Sequence, residues 1–120
     1  MIFRNKDVPL LLGGKTATGR PTDFKVHTGK WHKAISDRKL GYFGEIFIES
    51  AEIRQLNTLT FEEWLEMGYY CGLEEYLKEP FNNGLTGESE KLIIKWSKFK
   101  PRWEVIEQIL LKMSIMVVKK

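Results

Sequence analysis

The apolar and polar positions of this 120-residue chain change period several times, and each period predicts an element. Val8-Pro9-Leu10-Leu11-Leu12 is an apolar turn of helix stopped by Gly13-Gly14, because glycine frees the backbone for a helix exit. Thr16-Ala17-Thr18 then reads as extended. Gly19 and Pro21 bracket Arg20, which the following proline keeps extended. Residues 31–36 and 42–53 carry strand chemistry: Glu45, Phe47 and Glu49 oppose Ile46 and Ile48 across a pleat. The second of these strands is long enough to bend.

Thr60 followed by Glu63 is the capping-box signature, so a helix begins at Phe61 and ends at Gly68. A second short helix over residues 73–77 has glutamates at its start and Lys78 at its end, as a helix dipole favours, and closes before Pro80 and Asn82-Asn83-Gly84. Residues 91–99 form a strand whose Leu92, Ile93, Ile94, Trp96 and Phe99 are too apolar for an exposed edge. Beyond Pro101, Trp103, Ile106, Ile109, Leu110 and Met113 recur at helical spacing, and Ile115-Met116-Val117-Val118 prolongs the apolar tail. The sum is an α+β fold: a small β-barrel-like sheet with flanking helices and an added C-terminal helix. That helix, residues 101–120, is expected to pack on the domain formed by residues 1–100, and an exposed apolar stripe on it would favour a homodimer.

A chain of this length makes one domain, and a 42% apolar share suits a soluble protein. No segment approaches the roughly 18 apolar residues of a membrane span. The amino-terminal residues lack a secretory pattern, and Cys71 is the single cysteine, so the expectation is a cytoplasmic protein with no membrane partner and no disulfide. The net charge of +3 hides three blocks. Residues 1–40 hold nine Lys/Arg against three Asp, residues 41–90 two against eleven Glu, and residues 91–120 eight against two. Bringing the first and third blocks together would make a basic face suited to phosphate; charges that merely solvate separate faces fit equally well.

Gly13-Gly14-Lys15-Thr16-Ala17-Thr18-Gly19-Arg20-Pro21 is the leading candidate site. A lysine in a glycine turn beside two hydroxyls can clamp a phosphate or, if desolvated, act as a base. The same residues also suit a solvated surface turn. In an extended chain Lys15 and Thr18 face opposite ways, so a local turn is needed to bring them to one pocket. The spacing GxxxxGK[ST] is missing, which excludes a nucleotide triphosphatase loop. His27, His32 and Cys71 have no metal-ligand spacing, so neither a metal nor another cofactor is expected, and Cys71 reads as a small buried residue. Lys30-Trp31-His32-Lys33 interleaves cations with an aromatic, the pairing that stacks a base while holding its phosphate, although Trp31 fits a core equally; Trp64, Trp96 and Trp103 read as core. Among the glutamates of residues 62–75, mostly a solvated helix face, Glu66 is placed best to act as an acid or base.

With Leu12-Gly13-Gly14-Lys15-Thr16-Ala17-Thr18-Gly19-Arg20 followed by Gly44-Glu45-Ile46, Leu59-Thr60-Phe61-Glu62-Glu63 and Met67-Gly68-Tyr69, the chain resembles the ASCH domains, small β-barrels of the PUA-like superfamily. The resemblance covers roughly residues 1–99. It implies association with RNA or a modified nucleoside, with Lys15, Thr16, Thr18, Arg20, Lys30 and Trp31 as candidate binding residues. Some family members hydrolyse the acetamide of N4-acetylcytidine, and RNA cleavage is another activity that the resemblance implies. In the amidohydrolase pattern Lys15 would be the base, Thr18 the nucleophile and Arg20 the arginine closing the motif. The glutamate that usually precedes the glycine of E-G-[FY] is Met67 here; Glu66, one residue earlier, points about 100° away on a helix. The expectations are therefore a binding domain, an enzyme using Lys15, Thr18 and Glu66, or an interaction module acting through the C-terminal helix.

Overall fold

The computed structural model describes the backbone of residues 1–118 and the side chains of residues 1–113. Its elements run α1 (Asp7–Leu12), β1 (Ala17–Arg20), β2 (Lys30–Ile35), β3 (Tyr42–Gln55), α2 (Phe61–Glu66), α3 (Leu73–Leu77), β4 (Glu90–Pro101) and α4 (Trp103–Val118). The strands form one antiparallel sheet in the order β1-β4-β3-β2. Among the described residues this sheet is open, with β1 and β2 at its two edges. The expected barrel is therefore corrected: β1 has only four residues, and it pairs with β4 rather than closing on β2. The long strand does bend, with register shifts between Phe47 and Ser50.

Alternation along the strands feeds two cores. Ala34, Phe43, Ile46, Ile48, Ile94 and Trp96 face Phe3, α1 and α4, whose Val105, Ile106 and Ile109 are buried. On the opposite face Ala17 and Ile93 pack with Leu56, Trp64, Met67, Tyr69 and Tyr76 from the α2–α3 layer. On that face Trp31 of β2 and Phe47 in the first half of β3 belong to neither core, while Arg54 near the end of β3 is tied to Glu63 on α2.

Two tryptophan and cysteine expectations change. Trp103 is 55% exposed. At about 100° per residue it stands roughly 110° from the mean direction of Val105, Ile106 and Ile109. Cys71 is exposed too, on the turn between α2 and α3, where its N–H donates to Glu75 Oε1 at 3.0 Å. The apolar group Ile115-Met116-Val117-Val118 lies outside the described side chains. No described helix is long and apolar enough to cross a membrane.

Candidate functional site: a basic cleft at the β1 edge

The loop that opens the site is built by helix termination. The N–H groups of Gly13, Gly14 and Lys15 return to the carbonyls of Pro9, Leu11 and Leu10, with Gly14 at φ +112°. Lys15 thus leaves the turn before the strand ladder begins at Ala17, and the alternation that would set it opposite Thr18 does not reach it. Thr16 clamps the start of β1 through its backbone: its N–H donates to Glu66 O at 3.0 Å, and its carbonyl accepts from Trp96 N–H at 2.9 Å. The capping box Thr60–Glu63 starts α2 as expected. Gly68 ends it at φ +92°, where a β-carbon would strain the backbone close to Leu10 and the Lys15 stem.

A cleft of about 400 Å³ opens along β1 between the amino-terminal segment and the α2–α3 layer. Lys15, Thr18, Gly19 and Arg20 line it from the loop and strand; Met67, Tyr69, Tyr76 and Phe81 face them, with Arg4, Asp7 and Lys91 around the basic side. Because β1 is an edge strand, both of its faces border the cleft. Gly19 keeps one of them open: a β-carbon there would come 3.0 Å from the Tyr76 hydroxyl, which would have to give way by a few tenths of an ångström.

The charges are arranged unevenly. Lys15 Nζ lies 3.7 Å from Asp7 Oδ1, with side chains only 5% and 7% exposed. Arg4 shares the same carboxylate through Nε at 3.3 Å. Burial pulls the Lys15 ammonium below its usual pKa, Asp7 pulling the other way and the nearby Arg20 and Arg4 adding to the lowering. Arg20 has no carboxylate partner among the described residues. Its guanidinium donates to Thr18 Oγ1 at 2.8 Å, Gly19 O at 3.0 Å and Ile2 O at 2.7 Å, and it stands 5.2 Å from the Phe3 ring centroid. Burial lowers the Lys91 ammonium too, with Arg20 adding to the effect. It raises the Tyr69 and Tyr76 phenols, so both remain protonated hydrogen-bond donors at neutral pH.

The structure brings Lys15, Thr18 and Arg20 together, while Thr16 contributes its backbone. Glu66 is not among the lining residues, and Met67 occupies that wall, fully buried. Lys30 and Trp31 lie on β2, at the far edge of the sheet. Sequence reasoning did not single out Asp7, Arg4, Tyr69, Tyr76 or Lys91 for the site. A usable signal existed for Asp7 alone, an acid opening the apolar helix whose Gly13-Gly14 exit leads into Lys15.

No family model matches the sequence, and no curated protein does. Two solved structures share the fold. Both are mutants of ZmASCH from Zymomonas mobilis: a serine-to-alanine form with a TM-score of 0.61 and 14% identity over 84% of this chain and 68% of that one, and a tyrosine-to-phenylalanine form with a TM-score of 0.60 and 14% identity over 84% and 69%. The fold is ASCH-like. At this identity the likeness speaks for architecture alone.

Proposed function

We propose that the chain binds RNA or a modified nucleoside, taking one base into the cleft at the β1 edge. The observation that carries this reading is Arg20, a partly buried guanidinium that forms no ion pair with a carboxylate among the described residues, in a cleft that also presents Thr18, Lys15 and the Tyr69, Tyr76 and Phe81 rings. Rings supply stacking surface, phenols and the threonine supply polar contacts to base edges, and Arg20 with Lys91 supplies positive charge for a phosphate. The resemblance of the Lys15–Arg20 motif to ASCH domains and the ASCH-like fold support the same ligand class.

Replacing Lys15 and Arg20 together by Ala is expected to weaken binding of a short oligoribonucleotide by at least about tenfold and to flatten its salt dependence. Unchanged affinity and slope in the folded double variant would remove the proposal.

The buried Lys15–Asp7 pair favours a second reading, hydrolysis of N4-acetylcytidine to cytidine and acetate. A lysine with a lowered pKa is a better proton acceptor at neutral pH, and Asp7 supplies a carboxylate where Met67 supplies none. Incubation with N4-acetylcytidine checks it: acetate release that Lys15→Ala abolishes is the expected result, and the absence of product leaves binding alone.

A further inference from the structure

The sheet face opposite α1 and α4 is divided. Over β1 and the first half of β4 it is covered: Ile93 belongs to the α2–α3 core, and Lys95 Nζ donates to Glu63 on α2 at 2.7 Å. Arg54, near the end of β3, is tied to Glu63 as well, at 2.9 and 3.1 Å. Over β2, the first half of β3 and the second half of β4, Trp31, Phe47, Lys98 and Lys100 join neither core. The register shift after Trp96 sets Lys98 opposite Phe47 and Lys100 opposite Glu45, so both lysines reach this open half. Trp31 and Phe47 are cross-strand partners there, with ring centroids 5.5 Å apart and planes at 67°, and neither belongs to either core.

Cations accompany these rings. Lys100 Nζ stands 4.1 Å from the Trp31 centroid and Lys98 Nζ 5.3 Å from that of Phe47, while Lys33 Nζ stands 4.9 Å from the Tyr42 ring. Lys33, Lys98 and Lys100 are exposed and form no ion pair among the described residues. The one carboxylate between them in register is Glu45, which leaves the patch positive.

From this arrangement we infer that the open face of β2–β3–β4 is a second binding surface, for single-stranded RNA. Adjacent partly exposed rings beside exposed ammonium groups match a ligand that alternates π-faces with negative charges. A duplex keeps its base faces stacked internally and would gain nothing from Trp31 and Phe47. The lysine stems can swing from the rings to phosphates, so that a base replaces the ammonium over Trp31. Strands about 4.8 Å apart give the face room for about two bases. The surface lies across the sheet from β1 and does not depend on the cleft reading.

The test is fluorescence anisotropy of a labelled 12-residue oligouridine with the full chain at several salt concentrations. Trp31→Ala is expected to weaken binding by about tenfold or more, the loss of one stacked base. Lys98→Gln with Lys100→Gln should lower the slope of log affinity against log salt by about 1.4, two phosphates released from contact. This lysine pair bonds no carboxylate, so it carries the test should Trp31→Ala fail to fold. Wild-type affinity and slope in the lysine variant would overturn the inference. So would a dimer that Trp31→Ala dissolves, since a second copy would then be the occupant. Binding of cytidine monophosphate, too short to span both surfaces, separates the two readings: loss only in Lys15→Ala/Arg20→Ala, with the face variants normal toward both probes, leaves the cleft and removes the face. Weakened oligouridine binding in the face variants with no monophosphate binding by wild type does the reverse.

Discussion

Two carboxylates in this molecule are each held between two cations, and they are held differently. Glu63 on α2 accepts from Arg54 at 2.9 and 3.1 Å, from Lys95 at 2.7 Å and from the Thr60 N–H at 3.0 Å. Burial alone would raise its pKa, but hydrogen bonds from Lys95, the Thr60 backbone and Arg54 outweigh it and bring the carboxyl down to about 2. Asp7 accepts from Arg4 at 3.3 and 3.4 Å and faces Lys15 at 3.7 Å. The first network is saturated and fastens α2 to β3 and β4. The second is loose and borders a cleft, so its charges can still reorganise around a ligand. Equal numbers of cations therefore do not mean equal roles; bond lengths and the space next to the group separate a structural tie from a poised one.

The sharpest way to break this comparison is to remove each carboxylate charge in turn. Glu63→Gln leaves Arg54 and Lys95 without their shared acceptor and weakens the capping box. Both cations are partly exposed, so the expected cost is about 2 kcal/mol rather than the larger loss of a fully buried pair, read as a lower urea midpoint with nucleotide binding intact. A smaller effect is expected from acid. Glu63 has its pKa depressed on folding, so its contribution is complete above the unfolded value near 4.5 and is lost as pH falls through the folded value of about 2. Urea titrations from pH 5 to pH 2 should show about 1 to 2 kcal/mol of stability disappearing in wild type and a flatter profile in Glu63→Gln. The smallest change in stability is expected from Asp7→Asn, about 1 kcal/mol or less, because Lys15 can shed its proton rather than stay charged without a counter-ion. Its signature lies in binding instead: affinity for an anionic nucleotide should fall off at a lower alkaline pH than in wild type. If Asp7→Asn costs as much stability as Glu63→Gln, the two clusters are of one kind and the contrast fails.

Local rules made much of the fold readable. The Thr60–Glu63 box, the Gly13-Gly14 and Gly68 helix exits and the alternation around Ile46 and Ile48 each depend on residues close in sequence, and each stands where the pattern puts it. The openness of the sheet was not readable, because closure depends on which strands pair, and β1 pairing with β4 joins residues more than 70 positions apart. The candidate site divides along the same line. Lys15, Thr18 and Arg20 fall in one short stretch of sequence and were visible together. Arg4, Tyr76 and Lys91 reach the cleft only through tertiary packing, and nothing in their neighbours marks them. Trp31 showed its chemistry but not its distance from the loop, which is set by strand order rather than by composition.

The cleft depends on the least anchored strand of the sheet. β1 has four paired positions with β4, where β3 and β4 share eleven. Opening of such an edge need not disturb the Ile46–Trp96 core, so Thr18 and Arg20 belong to a part of the molecule that can detach and reclose as a small cooperative unit. Their amide hydrogens would exchange with solvent ahead of those in the centre of the sheet. A ligand spanning Arg20 and the α2–α3 wall would slow that exchange, acting as the fastening that the short ladder lacks.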